Sequence, residues 1–158
     1  MRFPDSQVNA LLDTALVGLQ GYVVLFLLLH DWLPLGRLNQ NAKKRHTDSL
    51  PQMLWTTLVA AVPAGIGLWG SASRFQAPYP EWLRLLLWIT YGALFVGSLR
   101  AWWIPYLIIP EPERAERYKQ IFQNTHRFLP EHNGIAPDTL HVSFHVAAVL
   151  VIILLAAR

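Results

Sequence analysis

Residues 21–36 read GYVVLFLLLHDWLPLG, and this stretch decides the fold. Its first nine residues carry no charge, and together with the largely apolar residues before them they are long enough for a membrane-crossing helix. Crossing the hydrocarbon core takes about 20 residues. Pro34 then ends the helix, because proline disfavours helical geometry in the residue before it. Three further stretches have the same character, and the four predicted spans cover residues 8–31, 51–71, 82–107 and 139–157.

The overall composition is typical of a membrane protein. Hydrophobic residues make up 53% of the 158 positions, and they come in blocks rather than in the stripes of soluble amphipathic helices. The chain has no cysteine, which excludes disulfides, thiolate metal ligands and a cysteine nucleophile. Its first residues lack the pattern of a cleaved signal peptide. We therefore predict an all-α polytopic integral membrane protein, in which residues 1–158 form one domain of four transmembrane helices in an antiparallel bundle.

The distribution of basic residues predicts the orientation of the spans. Nine lie on one side, namely Arg37, Lys43, Lys44, Arg45, Arg100, Arg114, Arg117, Lys119 and Arg127, and four on the other, namely Arg2, Arg74, Arg84 and Arg158. The positive-inside rule then places the connections 32–50 and 108–138 in the cytoplasm and both termini outside, at the inner membrane if the source is bacterial. This bias accounts for the net charge of +3 without a nucleic-acid partner.

The longer cytoplasmic connection is predicted to contain a short amphipathic helix between the third and fourth spans. Glu113 and Arg117 are four residues apart in the order that stabilises a helix, which favours helix over about residues 112–124. Asn133 and Gly134 then predict a tight turn before the fourth span.

All six histidines fall on the predicted cytoplasmic side, at the ends of spans or in the connections between them. They are His30, His46, His126, His132, His141 and His145. Location in a loop is enough to explain His46 and His132. The pair in the fourth span is different, because ionisable residues inside a span are costly and tend to mark function.

Asp138, His141 and His145 form the strongest constellation, since residues three and four apart share one face of a helix. Two histidines at this spacing are a common zinc-binding geometry, although Asp138 is also a good helix N-cap. We predict zinc or another divalent metal, held by His126, His141, His145 and His30. We also predict that the pair in the fourth span faces the bundle interior.

Three further ionisable residues belong to the predicted site. Asp31 or Glu131 would orient a metal ligand or act as a general base, and His30 or Asp31 should approach the start of the fourth span. Arg100 would pair with Asp31 or hold an anionic group of the substrate. The simpler account of Arg100 is that it extends to lipid phosphates.

Two functions from different classes follow. The first is a cytoplasm-facing metal site, and with it a metal-dependent enzyme that acts on a lipid or another membrane-delivered substrate. The alternative is a non-enzymatic subunit of an oligomeric transporter or channel, or a membrane accessory protein. Small residues such as Ala61 and Gly65 have the spacing that lets membrane helices approach closely, so a homodimer or higher oligomer is compatible with the sequence. Membrane lipids are the expected partners in both cases.

Overall fold

A computed structural model describes residues 5–39 and 49–158. Within these ranges the chain is all-α, with one isolated β-bridge and no strand. The five helices are α1 (Asp5–Leu29), α2 (Leu50–Ser73), α3 (Glu81–Ser98), α4 (Pro112–Phe122) and α5 (Thr139–Ala157). A π-helical segment (Leu99–Trp103) and one α-helical turn (Ile104–Leu107) continue α3, and a 3₁₀ turn (Gly36–Leu38) follows α1. His46 lies outside the described residues.

Four helices are long and apolar enough to cross a membrane, which is the number that the sequence predicts. They are Gln7–Leu29, Leu50–Ser73, Glu81–Leu107 and Thr139–Ala157. The first ends two residues earlier than expected, because His30 and Asp31 lie in a turn rather than in the helix. The four helices indicate an integral membrane protein.

The four long helices pack around one apolar core. Each of α1 and α3 contacts both α2 and α5. Helices α2 and α3 approach closely at two glycines, because a Cβ added at Gly70 would lie 2.6 Å from the Leu83 side chain and one at Gly67 would lie 2.8 Å from that of Leu87. A larger residue at either position would therefore have to displace a leucine methyl group. Gly65, which the small-residue spacing singled out, has nothing within 4 Å of such a Cβ.

The π-helical segment has a chemical cause two residues beyond it, at Pro105. Proline has no N–H, so it cannot bond the carbonyl of Ala101 four residues earlier, and its ring crowds that carbonyl. The freed oxygen of Ala101 instead accepts a hydrogen bond from the Tyr118 hydroxyl at 3.0 Å. Pro105 thereby attaches α4 to the end of the third span.

The connection from α4 to α5 is held against the third span by a tight turn. Asn133 and Gly134 both have positive φ, 52° and 74°, which is the geometry that an Asn-Gly pair tolerates best. The turn prediction is confirmed. The turn is anchored through the carbonyl of Tyr106, which accepts hydrogen bonds from the side chains of His132 and Asn133. His132 therefore has a structural role in the loop.

The end of the bundle where α1 begins and α5 finishes is held by a buried carboxylate. Asp13 is 3% exposed, forms an ion pair with Arg158 and accepts the backbone N–H of Gln76 at 2.6 Å. Arg158 also donates to the carbonyl of Ala77 at 2.7 Å and lies 3.8 Å from the centre of the Tyr79 ring. We call this cluster of Asp13, Gln76 and Arg158 the Asp13 end.

Candidate functional site

At the opposite end of α1 and α5, two histidine–carboxylate pairs meet. The ring centres of His30 and His141 are 5.7 Å apart, although more than a hundred residues separate them in sequence. Phe26 stacks on His30 at 4.3 Å and contacts His141 edge-on at 5.5 Å. The prediction that His30 approaches the start of the fourth span is confirmed. We call the group of His30, Asp31, Asp138 and His141 the histidine end.

A cavity of about 1020 Å³ opens at the histidine end. It is bounded by residues from the ends of the first three spans, from α4 and from the start of α5. Its walls comprise Leu27, His30, Asp31, Gln52, Thr56, Thr57, Ala60, Trp102, Pro110, Glu111, Pro112, Glu113, Arg114, Arg117, Tyr118, Ile121, Phe122 and His141. Three of the predicted site residues, one carboxylate and two imidazoles, therefore share one cavity.

Asp138 holds His141 with both carboxylate oxygens. One oxygen accepts the backbone N–H of His141 at 3.0 Å, which caps α5, and the other accepts the ring Nδ1–H at 2.7 Å. Burial by itself would raise the pKa of Asp138, but the hydrogen bonds and the charge of His141 together hold it below its ordinary value. Because Nδ1 donates to Asp138, the Nε2 of a neutral His141 is an acceptor. Nε2 has no hydrogen-bond partner among the described residues.

His30 is held differently, because acceptors face both of its ring nitrogens. Nδ1 lies 2.9 Å from the carbonyl oxygen of Phe26, and Nε2 lies 3.1 Å from the carboxylate of Asp31. A carbonyl and a carboxylate can only accept, so the ring makes both bonds only when both nitrogens carry protons. The backbone carbonyl of His30 accepts from the Asn39 side chain, which fixes the turn after α1. The histidine end thus brings together two imidazoles, each of which has a ring nitrogen within hydrogen-bond distance of a carboxylate.

One face of helix α4 forms part of the cavity wall. The residues on that face recur at intervals of three and four, and they are Arg114, Arg117, Tyr118, Ile121 and Phe122. Tyr118 and Phe122 pack on Trp102 with ring centres at 4.5 and 5.2 Å. Sequence reasoning predicted this helix but not its face, although the spacing of its aromatic and basic residues carried the signal.

Arg100 lies outside the cavity rather than in it. Its side chain is 59% exposed and binds Glu111 at 2.6 Å, while Glu111 also binds Arg114 at 2.8 Å. The hydrogen bond from Arg114, supported by Arg100, lowers the pKa of Glu111. The predicted pairing of Arg100 with Asp31 is therefore replaced by a pairing with Glu111. The guanidinium groups that line the cavity belong to Arg114 and Arg117.

The remaining predicted residues are separated from one another. His126 is exposed and bonds the Thr139 hydroxyl through Nδ1 at 2.8 Å, and Glu131 is exposed beside Arg127. His145 is buried, as predicted, but its Nδ1 accepts the indole N–H of Trp103 at 3.2 Å. Across residues 5–39 and 49–158, no three His, Asp or Glu side chains are placed to hold one metal ion. The predicted set of metal ligands is therefore not assembled.

Comparisons with protein-family models, with curated proteins and with solved structures find no match to this chain. Its function is accordingly inferred from the geometry of the histidine end.

Proposed function

We propose that this chain is an integral membrane protein that binds the polar head group of a membrane-dissolved amphiphile in the cavity at the histidine end. In this proposal, His141 and His30 exchange protons or hydrogen bonds with that head group. The observation that carries the proposal is that His30, Asp31 and the Asp138-bound His141 line one cavity at the ends of apolar spans. Ionisable groups at such a depth are costly, and binding or proton transfer is their usual purpose.

The proposal includes an antiparallel bundle, because a cavity at one end needs α1 and α5 to run in opposite directions. Contacts at both ends support this arrangement. His30 lies beside His141 near the end of α1 and the start of α5, whereas Asp13 pairs with Arg158 near the start of α1 and beyond the end of α5. For α2, the Trp32 indole donates to the Thr57 hydroxyl at 3.1 Å, and Asp13 accepts from Gln76.

We place the histidine end on the cytoplasmic side and α4 at that membrane surface. The nine-to-four distribution of basic residues supports this orientation. Helix α4 also suits an interfacial position, because its cavity face carries Tyr118, Ile121 and Phe122 beside two arginines, and its exposed face carries charged residues such as Glu116 and Lys119. An amphiphile would then enter between α2 and α4, with its tail in the bilayer and its head in the cavity.

A substitution that fills the cavity tests the proposal. Ala60 lines the cavity on α2, whereas Val62 is half-exposed on another face of the same helix. We expect native mass spectrometry of the protein purified in mild detergent to show a bound amphiphile in the wild type and in Val62→Phe. We expect Ala60→Phe to lose it. Equal retention by both variants would contradict the proposal.

Elemental analysis of the same samples tests the predicted metal. A divalent ion bound in stoichiometric amount and lost in His141→Ala would replace the proton-exchange part of the proposal by metal chemistry. His126→Ala is the matched control, because His126 is exposed and lies outside the cavity.

A further inference from the structure

We infer that the interior of the bundle binds water between Gln20 of α1 and Tyr91 of α3. This site lies among the apolar spans and is separate from the cavity at the histidine end, whose walls contain neither residue. The inference does not depend on the proposed function. It rests on the burial of these two side chains, on their places in the core and on their hydrogen-bonding groups.

Gln20 and Tyr91 bury polar groups deep within their spans. Both residues are 0% exposed. Among the described residues, the side-chain oxygen and nitrogen of Gln20 and the hydroxyl of Tyr91 have no hydrogen-bond partner. Gln20 lies about 10 Å along α1 from Asp13 and about 15 Å from His30, at a rise of 1.5 Å per residue. The surrounding lipid offers no replacement partner at this depth, so a bound ligand would relieve a large cost.

The packing of the core directs both side chains into the same region. Tyr91 belongs to one buried cluster with Leu16 and Val23, which flank Gln20 on the inner face of α1. Helices α1 and α3 both contact α2 and α5, so they occupy opposite corners of the bundle. The helices between them contribute small side chains to the cluster, such as Ala64 on α2 and Ala148 on α5. The two long polar side chains therefore extend toward each other across the centre.

The other buried hydroxyls without a good hydrogen bond differ from this pair. They belong to Ser71 and Tyr79, and these two side chains interact with each other near the Asp13 end. No such local partner is available to Gln20 or Tyr91 among the described residues.

The chemistry of the two side chains selects water as the ligand. The enclosing residues are apolar and buried, so the site admits only a small molecule without charge. The amide offers two donors and one acceptor oxygen, and the Tyr91 hydroxyl both donates and accepts. A direct bond between the two residues would leave at least one amide atom unbonded. Water in protein interiors makes about three hydrogen bonds, so it can bond both side chains at once.

Proton-detected solid-state NMR of the full chain in phosphatidylcholine bilayers tests this site. Isotopic labelling of glutamine amides and tyrosine rings resolves the side chains, and Gln20→Leu and Tyr91→Phe assign their signals. We expect cross-peaks from bound water to the Gln20 amide protons and to the Tyr91 hydroxyl proton. Because the two residues share the ligand, each cross-peak should be lost when the other residue is replaced.

Tyr22→Phe is the matched control, because it removes a hydroxyl whose partner is Ser143 at 2.6 Å. Both cross-peaks should persist in this variant. Three outcomes would overturn the inference, and the first needs no variant: the wild type shows no water cross-peak to either side chain. The others are a cross-peak that survives replacement of the other residue, and loss of both cross-peaks in Tyr22→Phe.

Unfolding in SDS adds a double-mutant cycle. Removal of one partner leaves the other side chain with an unbonded polar group, whereas removal of both leaves none. The double variant of Gln20→Leu and Tyr91→Phe should therefore lose less stability than the two single losses added together. Additive losses would show that the two residues share no ligand and would contradict the inference.

Discussion

Each end of this molecule buries a carboxylate, which is costly in free energy. The two carboxylates obtain their ion pairs and hydrogen bonds from different partners. At the Asp13 end, the oxygens of Asp13 are taken up by Arg158 and by the backbone of Gln76. At the histidine end, Asp138 is equally well bonded, but its partner is an imidazole whose second nitrogen has no hydrogen-bond partner among the described residues and whose ring lines a cavity. An arginine stays charged and therefore neutralises a carboxylate permanently. A histidine bound to a carboxylate can still gain or lose a proton, and its second ring nitrogen can bond a ligand.

We therefore infer that the Asp13 end stabilises the fold and that the histidine end binds a ligand. The ion pair at the Asp13 end joins α1, the connection after α2 and the last residue of the chain described. The residues of the histidine end surround space instead. Stability measurements should therefore respond most strongly at the Asp13 end, and ligand measurements at the histidine end.

The largest effect is expected from Arg158→Ala. The buried carboxylate of Asp13 would keep only the Gln76 N–H among its described partners, and the loss of its charged partner costs up to about 3–5 kcal/mol. Unfolding in SDS, followed by circular dichroism, measures the change. Arg100→Ala is the control, because an exposed ion pair contributes about 0–1 kcal/mol. Equal losses of stability in the two variants would mean that the ion pair at the Asp13 end stabilises the fold no more than an exposed ion pair does.

The next effect concerns helix packing close to the Asp13 end. In Gly70→Ala the new methyl group would meet the fully buried side chain of Leu83, and overpacking of this kind costs about 1–3 kcal/mol. Gly65→Ala on the same helix meets nothing and should stabilise it by about 0.5–1 kcal/mol. The same unfolding assay compares them, and two changes of one sign would contradict the observed packing of α2 on α3.

The smallest effect on stability is expected at the histidine end. Asp138→Ala removes the N-cap of α5, which should lower the free energy of unfolding by about 1 kcal/mol at neutral pH. Although burial opposes it, the bonds from His141 hold the pKa of Asp138 below 3.8. The carboxylate therefore stabilises the fold fully above that pH, and its contribution is lost as the pH falls through the folded-state pKa.

The pH dependence gives this prediction its check. The difference in unfolding free energy between wild type and Asp138→Ala should shrink as the solution becomes more acid than about pH 5. A difference that widens with acidity would mean that Asp138 is protonated in the folded protein, and His141 would then lack the partner that orients it.

The sequence predicted the helices and the approach of His30 to His141 because both depend only on the length of the apolar runs and on the side of the membrane at which each run ends. An apolar run such as residues 21–29 has few alternatives to a membrane span. Once the spans are placed, the end of the first and the start of the fourth must lie at the same level. These inferences need no knowledge of how any helix is rotated about its axis.

The predictions that failed within the third and fourth spans depend on helix rotation. Each residue turns a helix by about 100°, and the π-helical segment at Leu99–Trp103 changes this angle where Arg100, Trp102 and Trp103 lie. Periodicity could not show that Arg100 points outward to Glu111, or that Trp103 occupies the Nδ1 of His145. The hydrogen bond from Tyr118 to Ala101 joins distant segments, and no local pattern encodes it.

The central claim, that the cavity at the histidine end holds a membrane-dissolved ligand, is tested most directly by photo-crosslinking in intact membranes. A photoreactive benzoylphenylalanine in place of Ile121 would lie in the cavity wall, and one in place of Lys119 would lie on the exposed face of the same helix. Mass spectrometry of the irradiated protein identifies the adducts. We predict one discrete amphiphile at position 121 and bulk phospholipid or no adduct at position 119. The same bulk lipids at both positions would contradict the claim.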